Sequence, residues 1–308
     1  MMGAVLAVFV PIRALPDRHL LPPRILALTY QRVGLGPVVA PLRLAGAWRL
    51  RANDPRFGGL SALAIDRGSF LAVSDLGAVI RFDPPFTAHP TASVSDLRDG
   101  PGEAGRKSSR DAESLTRDPR GRGWWIGYEQ RHSLWLYDER FARALAAVDL
   151  GRPDWPANRG AEGLLAEKDS LTVTAENGRE AMRVGSAGIE RLRLATGAEV
   201  ADAARAPDGG AWLLLRSKGR RGISQWIAPL IRLGTGYRAG PAWPLPKAAF
   251  DNYEGMAIAR RPGGGWRFWL VTDDGHRFMA RTLLVALDLA DPPGPRRDKS
   301  PTKHAGLL

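Results

Sequence analysis

The chain has 308 residues, 44% of them hydrophobic and 25% charged, an ordinary globular balance with ample length for a buried core. It has no cysteine, which excludes disulfides, thiolate metal sites and a cysteine nucleophile. The net charge is +12, but the basic residues, 38 of 44 arginine, are scattered rather than striped and lack aromatic interleaving, so no nucleic-acid partner is expected.

Residues 2–12 are apolar apart from Gly3 and Pro11, too short a run to span a bilayer. They resemble the apolar region of an export signal, although no basic residue precedes them and no small-x-small cleavage site follows. The expectation is a periplasmic protein, or one anchored peripherally on the periplasmic side through its N-terminus; a chance apolar start is the alternative. Residues 1–50 read as this apolar N-terminus plus an extended arm, 51–290 as the folded unit, and 291–308 as a disordered tail rich in Pro, Arg and Lys.

Within 51–290 one pattern occurs five times: a short apolar strand, a Gly/Pro/Asp turn, then a second apolar strand. The copies start at Ser61, Glu113, Glu162, Asp202 and Glu254. Their second strands run into Asp75, Glu129, Glu176, Arg216 and Asp273. Third strands follow at 79–82, 134–137 and 282–285, each closed by an aspartate. Apolar runs this short, bounded by turn residues and rich in aromatic and β-branched side chains, are strands rather than helices. Only 139–149 shows any helical periodicity. A strand repeat of roughly 40–50 residues predicts an all-β fold, a β-propeller of five or six blades. A sixth blade would draw on 38–50, 86–97 and 223–246. One domain and a monomer are expected, and the ten tryptophans are read as packing between blades.

Several blocks carry a family resemblance. Phe57-Gly58-Gly59-Leu60-Ser61-Ala62-Leu63-Ala64, Val73-Ser74-Asp75 and Asp111-Ala112-Glu113-Ser114-Leu115 resemble the phytase-like family, described by its esterase-like activity and common in proteobacteria. Asn158-Arg159-Gly160-Ala161-Glu162-Gly163-Leu164, Asn252-Tyr253-Glu254-Gly255-Met256-Ala257 and Leu270-Val271-Thr272-Asp273-Asp274 match its later blocks. Two positions depart from the pattern: Ser114 stands where Gly is usual, and Leu76 where a polar residue is usual. The resemblance implies a propeller and ester hydrolysis, by analogy with calcium-dependent propeller phytases.

A propeller points equivalent positions of all blades at one axis, so the copy starts and second-strand ends would form a ring. That ring holds eight carboxylates and one arginine, an inversion of the chain's basic average. Carboxylates held this close raise one another's pKa or need a cation, and hard oxygen ligands in number suit Ca²⁺ or another divalent metal. Asp75, Glu113, Glu129, Glu162, Glu176 and Glu254 are the candidate metal ligands. Glu254, Asp273 and His276 are the candidate catalytic residues. Arg216, Arg179, His132 and Asn252 are the candidates for holding a small anionic ester. Structural alternatives are that the acids cap strand ends or bond backbone N–H groups of the next blade, that the histidines are surface residues, and that Arg216 pairs with Glu176. No G-x-S-x-G elbow, His-Glu-x-x-His or P-loop is present. Metal-dependent hydrolysis of phosphate or other esters is the first functional reading; a non-catalytic binding propeller at the cell envelope is the second.

Overall fold

A computed structural model describes residues 19–151, 155–156, 159–220, 222–247, 252–275 and 280–289. The arm supplies β1 (Arg24–Ala27), β2 (Thr29–Arg32) and β3 (Leu42–Arg51). Blade I follows as β4 (Leu60–Asp66), β5 (Ser69–Ser74), β6 (Ala78–Phe82) and β7 (Thr91–Asp96), with β1 added beyond β7. A single helical turn, α1 (Lys107–Arg110), leads into blade II: β8 (Ala112–Arg117), β9 (Trp124–Tyr128), β10 (Ser133–Tyr137) and β11 (Ala144–Asp149).

Blade III is β12 (Ala161–Ala166), β13 (Ser170–Ala175), β14 (Glu180–Gly185) and β15 (Gly188–Ala195). Blade IV is β16 (Glu199–Arg205), β17 (Ala211–Gly219), β18 (Gly222–Leu233) and β19 (Gly236–Ala239), with the short β20 (Trp243–Pro244) on β18. Blade V is β21 (Asn252–Arg260), β22 (Trp266–Asp273) and β23 (Leu283–Leu289), completed by β3 and β2 from the other end of the chain. Strands within each blade pair antiparallel, and β15 and β19 join the outer edges of blades III and IV in parallel.

The described residues therefore form a five-bladed propeller, and the segments considered for a sixth blade have other places. Residues 38–50 hold the fourth strand of blade V, 86–97 the fourth strand of blade I, and 223–246 the outer strands of blade IV. The stretch 139–149 is not helical; it contains β11. The arm 24–51 is extended but belongs to the ring rather than preceding it.

The inner strands β4, β8, β12, β16 and β21 neighbour one another in a closed circle. Five apolar cores fill the spaces between successive blades: I–II around Val73 and Ile126, II–III around Leu134 and Leu164, III–IV around Leu165 and Leu213, IV–V around Leu214 and Phe268, and V–I around Leu60 and Val271. Each blade is a sheet buried on both faces, which is why its second strands read as unbroken apolar runs such as Leu213-Leu214-Leu215. Aromatic edges lock the junctions, with Phe70 and Trp269 at 4.9 Å between I and V and Trp212 and Phe268 at 4.9 Å between IV and V. Such pairs contribute about 0.5–1.5 kcal/mol beyond their burial.

Candidate active site

Every inner strand departs from regular pairing at the same place. The register slips between Leu60 and Ala62, Ala112 and Ser114, Ala161 and Gly163, Val200 and Asp202, and Tyr253 and Gly255. The extra residues at these bulges are Ser61, Glu113, Glu162, Ala201 and Glu254. A bulge leaves one residue without a cross-strand partner and re-aims its side chain, a device common beside active sites. Just past each bulge, the partner strand runs into Asp75, Glu129, Glu176, Arg216 or Asp273, the five second-strand ends expected from the sequence.

One start position is corrected by this register. In blade IV the equivalent of Glu113 is Ala201, not Asp202. The Asp202 carboxylate accepts N–H bonds from Ala203 at 2.7 Å and from Met256 of blade V at 2.6 Å. It braces two blades instead of joining the ring. Ser114, the departure from the family pattern, sits one place past its bulge, as Asp202 does, and its hydroxyl donates to the Ala161 carbonyl of blade III at 2.6 Å. Gly163 and Gly255 occupy the same place in their blades. There a Cβ would meet Thr174 Oγ1 at 2.2 Å and the Ala62 carbonyl carbon at 2.8 Å, respectively.

The ring residues surround a cavity of about 350 Å³ at one end of the axis. Its lining includes Asp75, Glu113, Glu129, Glu162, Glu176, Asn252, Glu254, Asp273 and Arg216, and adds Lys107, Lys218 and Asp274. Eight carboxylates thus face three basic groups. Arg179 lies in a neighbouring groove with Arg159, Arg193 and Thr196, which shares Arg216 and Lys218 with the cavity. His132 is not in the lining; its ring packs edge-on against Trp155 at 5.7 Å. His276 lies outside the described residues.

Arg216 is committed to carboxylates. Its Nη1 donates to both Glu254 oxygens at 2.5 and 2.6 Å, its Nη2 to Glu176 at 2.6 Å, and its Nε to Glu199 at 3.3 Å. The pairing with Glu176, the structural alternative read from the sequence, is therefore present, and Glu254 and Glu199 extend it. Asn252 Nδ2 donates to Glu254, fixing that carboxylate from a second side.

On the opposite side, Lys107 Nζ lies 2.7 Å from Asp75 and 3.2 Å from Asp111. Asp111, Glu113 and Glu129 each offer an oxygen, all within 4.8 Å of one another. These residues fit a metal. Three hard oxygen donors converge, Asp111 is 2% exposed, and its Oδ1 accepts no hydrogen bond. Asp111 and Lys107 were not among the sequence candidates. Asp111 carried a signal, two residues before Glu113 in a family block; Lys107 stands on the inter-blade turn, outside any repeat.

Burial, with like charge beside it, raises five carboxyls of the ring. Glu113 and Glu162 are raised well above the ordinary carboxylate range, chiefly by burial, with Asp111 and Glu162 adding to it for Glu113. Glu129 is pushed up to about 8 by burial and Asp111. Asp273 is pushed up to about 7 by burial, Asp75 and Glu254. Glu254 reaches only about 6, since Arg216 opposes the effect of burial.

Residues 55–276 match the phytase-like family, described as esterase-like activity of phytase. The chain belongs to that family. All five inner-strand bulges and all five second-strand ends fall within the match. No curated protein sequence matches. Among solved structures, glutaminyl cyclase of Myxococcus xanthus is 13% identical, with 81% of this chain and 97% of that chain covered at a TM-score of 0.49. The Cps50 (Swd1) β-propeller domain of Myceliophteria thermophila is 10% identical, with 83% and 98% covered at a TM-score of 0.40. Hydrazine synthase of Kuenenia stuttgartiensis is 14% identical at a TM-score of 0.40; 70% of this phytase-like chain is covered, but only 56% of that one.

Proposed function

We propose that this chain hydrolyses small anionic esters, phosphate or carboxylate, at the acidic mouth of its central channel, with a divalent cation held by Asp111, Glu113 and Glu129. The observation that carries the reading is the convergence of bulge residues and second-strand ends from five blades on one cavity, where eight carboxylates meet three basic groups. A bound divalent metal supplies electrophilic polarisation of the ester and acidifies water. Ca²⁺ is the first metal to test, because the donors are hard carboxylate oxygens.

Within this reading Glu254 is the base. Its carboxylate is fixed by Arg216 and Asn252 and stays ionised at neutral pH, with a pKa of about 6. Asp273, at about 7, carries a proton near neutrality and is the donor to the leaving group. In this reading Arg179 holds the anionic part of a substrate that extends out of the cavity, and its support is the adjoining groove that it lines with Arg193. Arg216 no longer serves as the free anion grip expected from the sequence; it orients Glu254.

The test is release of p-nitrophenol from phosphate and carboxylate esters with Ca²⁺, Mg²⁺ or Mn²⁺, by wild type and Glu254→Gln. Turnover in wild type and its loss in a folded variant support the reading; no turnover on any ester with any metal overturns it. The commitment of Arg216 to internal carboxylates favours the second reading, a non-catalytic ligand-binding propeller at the envelope. That reading predicts metal binding without turnover.

Export or anchoring on the periplasmic side rests on the apolar stretch 2–12, which lies outside the described residues. Among the described residues no helix is long and apolar enough to cross a membrane. Fractionation followed by N-terminal sequencing of the purified protein tests this proposal.

A further inference from the structure

We propose that Lys107 is a built-in counter-ion of the acidic ring, and that a divalent cation reaches the Asp111–Glu113–Glu129 cluster only by displacing its ammonium group. The inference rests on the metal-binding reading above, but it concerns a residue that reading does not use.

The geometry places Lys107 in competition. Its Nζ sits 2.7 Å from Asp75 Oδ2 and 3.2 Å from Asp111 Oδ1. Asp111 belongs both to this pair and to the three-carboxylate cluster. The Oδ1 atom that faces Lys107 accepts no hydrogen bond, and Asp111 is 2% exposed, so the ammonium is the charge compensating it. The other two basic lining groups are engaged elsewhere. Arg216 is bound by Glu176, Glu199 and Glu254, and Lys218 faces Glu176 and Glu199 at 3.6 and 3.5 Å. A buried carboxylate pair without a cation is costly, so the metal-free ring needs Lys107 where it stands.

The turn carrying Lys107 has a fixed base and a free tip. Arg110, three residues on, is buried and donates to the carbonyls of Leu97, Arg98, Asp99, Pro101 and Gly102. That fan of bonds pins the loop against blade I. The Lys107 side chain is 46% exposed, so its ammonium can rotate into solvent without moving the backbone. A divalent ion brings twice the charge and direct coordination to oxygens that the lysine only neighbours.

The affinity of a site available for only part of the time falls by that fraction. If Lys107 holds the cluster nine-tenths of the time, removing it tightens the apparent Kd about tenfold. Isothermal titration of metal-stripped protein with CaCl₂ and MnCl₂ reads this directly, using wild type, Lys107→Met and Lys107→Arg. The expected result is about tenfold tighter binding for Lys107→Met and none of that gain for Lys107→Arg. The melting temperature of metal-free Lys107→Met should fall, and its rise with Ca²⁺ should exceed that of wild type. Lys107→Gln stands in if Lys107→Met does not fold.

The outcomes separate the two ideas. Equal or weaker metal binding in Lys107→Met overturns the counter-ion proposal and leaves the metal reading intact. Binding by Lys107→Met alone supports the counter-ion and overturns a metal-dependent wild-type enzyme. Binding by neither protein overturns both.

Discussion

Arg216 and Glu254 face each other across the junction of blades IV and V, one guanidinium nitrogen reaching both carboxylate oxygens at 2.5 and 2.6 Å. The same guanidinium reaches Glu176 of blade III. One side chain therefore ties three blades together at the axis. Removing it takes the guanidinium away from four acidic side chains, Glu162, Glu176, Glu199 and Glu254. Arg216→Ala is expected to cost about 3–5 kcal/mol in urea denaturation at pH 8, the range for breaking a buried ion pair from one side. Arg216→Lys should recover only part, because an ammonium cannot serve Glu254 and Glu176 at once. A stable Arg216→Ala with a raised KM would instead return Arg216 to the role of substrate grip.

Stability of the metal-free protein should fall as pH rises from about 5 to about 8. Glu254, Asp273 and Glu129 have folded-state pKa values of about 6, 7 and 8, above the values of the unfolded chain. A carboxyl raised in this way is bound more tightly to its proton when folded, so its contribution is full at low pH and lost as pH climbs through those values. Saturating Ca²⁺ should flatten or reverse the slope by binding the ionised form. Melting temperatures across pH 5–8.5, with and without Ca²⁺, check both; a metal-free protein that grows more stable toward pH 8 contradicts the ring's electrostatics.

Asp202 and Glu162 are both buried acids of adjacent inner strands, yet their losses should differ in kind. Asp202→Ala strands the N–H groups of Ala203 and Met256 at a blade junction, each costing about 1–3 kcal/mol. Metal affinity of the folded fraction should be unchanged. Glu162→Gln should instead stabilise the metal-free protein near neutral pH, since burial makes the Glu162 carboxyl keep a proton that it would release in the unfolded chain, whereas an amide has none to hold. Chemical denaturation with parallel calcium titration separates the two.

Gly163→Ala is expected to destabilise by about 1–3 kcal/mol, the usual cost of overpacking. The new methyl would meet Thr174 Oγ1 at 2.2 Å and Ala203 Cβ at 2.6 Å, with blade IV behind it. Ser114→Gly, which restores the residue usual in the family, should lose about 1 kcal/mol, the hydrogen bond to Ala161. Thermal unfolding of the two variants gives the comparison; a neutral Gly163→Ala would mean the blades can separate there at no cost.

The repeat was legible because turn residues punctuate the chain at each hairpin and the strands between are too short to be helices. The second-strand ends were legible for the same reason: Asp75, Glu129, Glu176, Arg216 and Asp273 follow directly on apolar runs. The blade IV start was misplaced by one residue because a bulge changes side-chain direction without changing composition, and Asp202 was the nearest acid to an alanine that holds the equivalent place. The arm hid its strands because β3 pairs with β2 beside it in sequence but is fixed in the ring by β23, more than 230 residues away and beyond any local pattern. Lys107 was invisible for a similar reason. It belongs to no repeat, and its importance comes from where Arg110 pins the turn.

Blade V is assembled from both ends of the chain, β3 lying against β23 with Leu42 opposite Leu289. A polypeptide made from its N-terminus completes β3 long before β23 exists. Leu42, Ala47 and Leu50, all buried in the finished ring, must then wait in solvent or in a holding factor's grip until the last strand emerges. Blades I to IV can form hairpins and pack on one another during synthesis, but I and IV each keep one face open until blade V is complete. The circle therefore closes late, and a ribosome stalled before residue 283 would release a nearly complete propeller with an open seam.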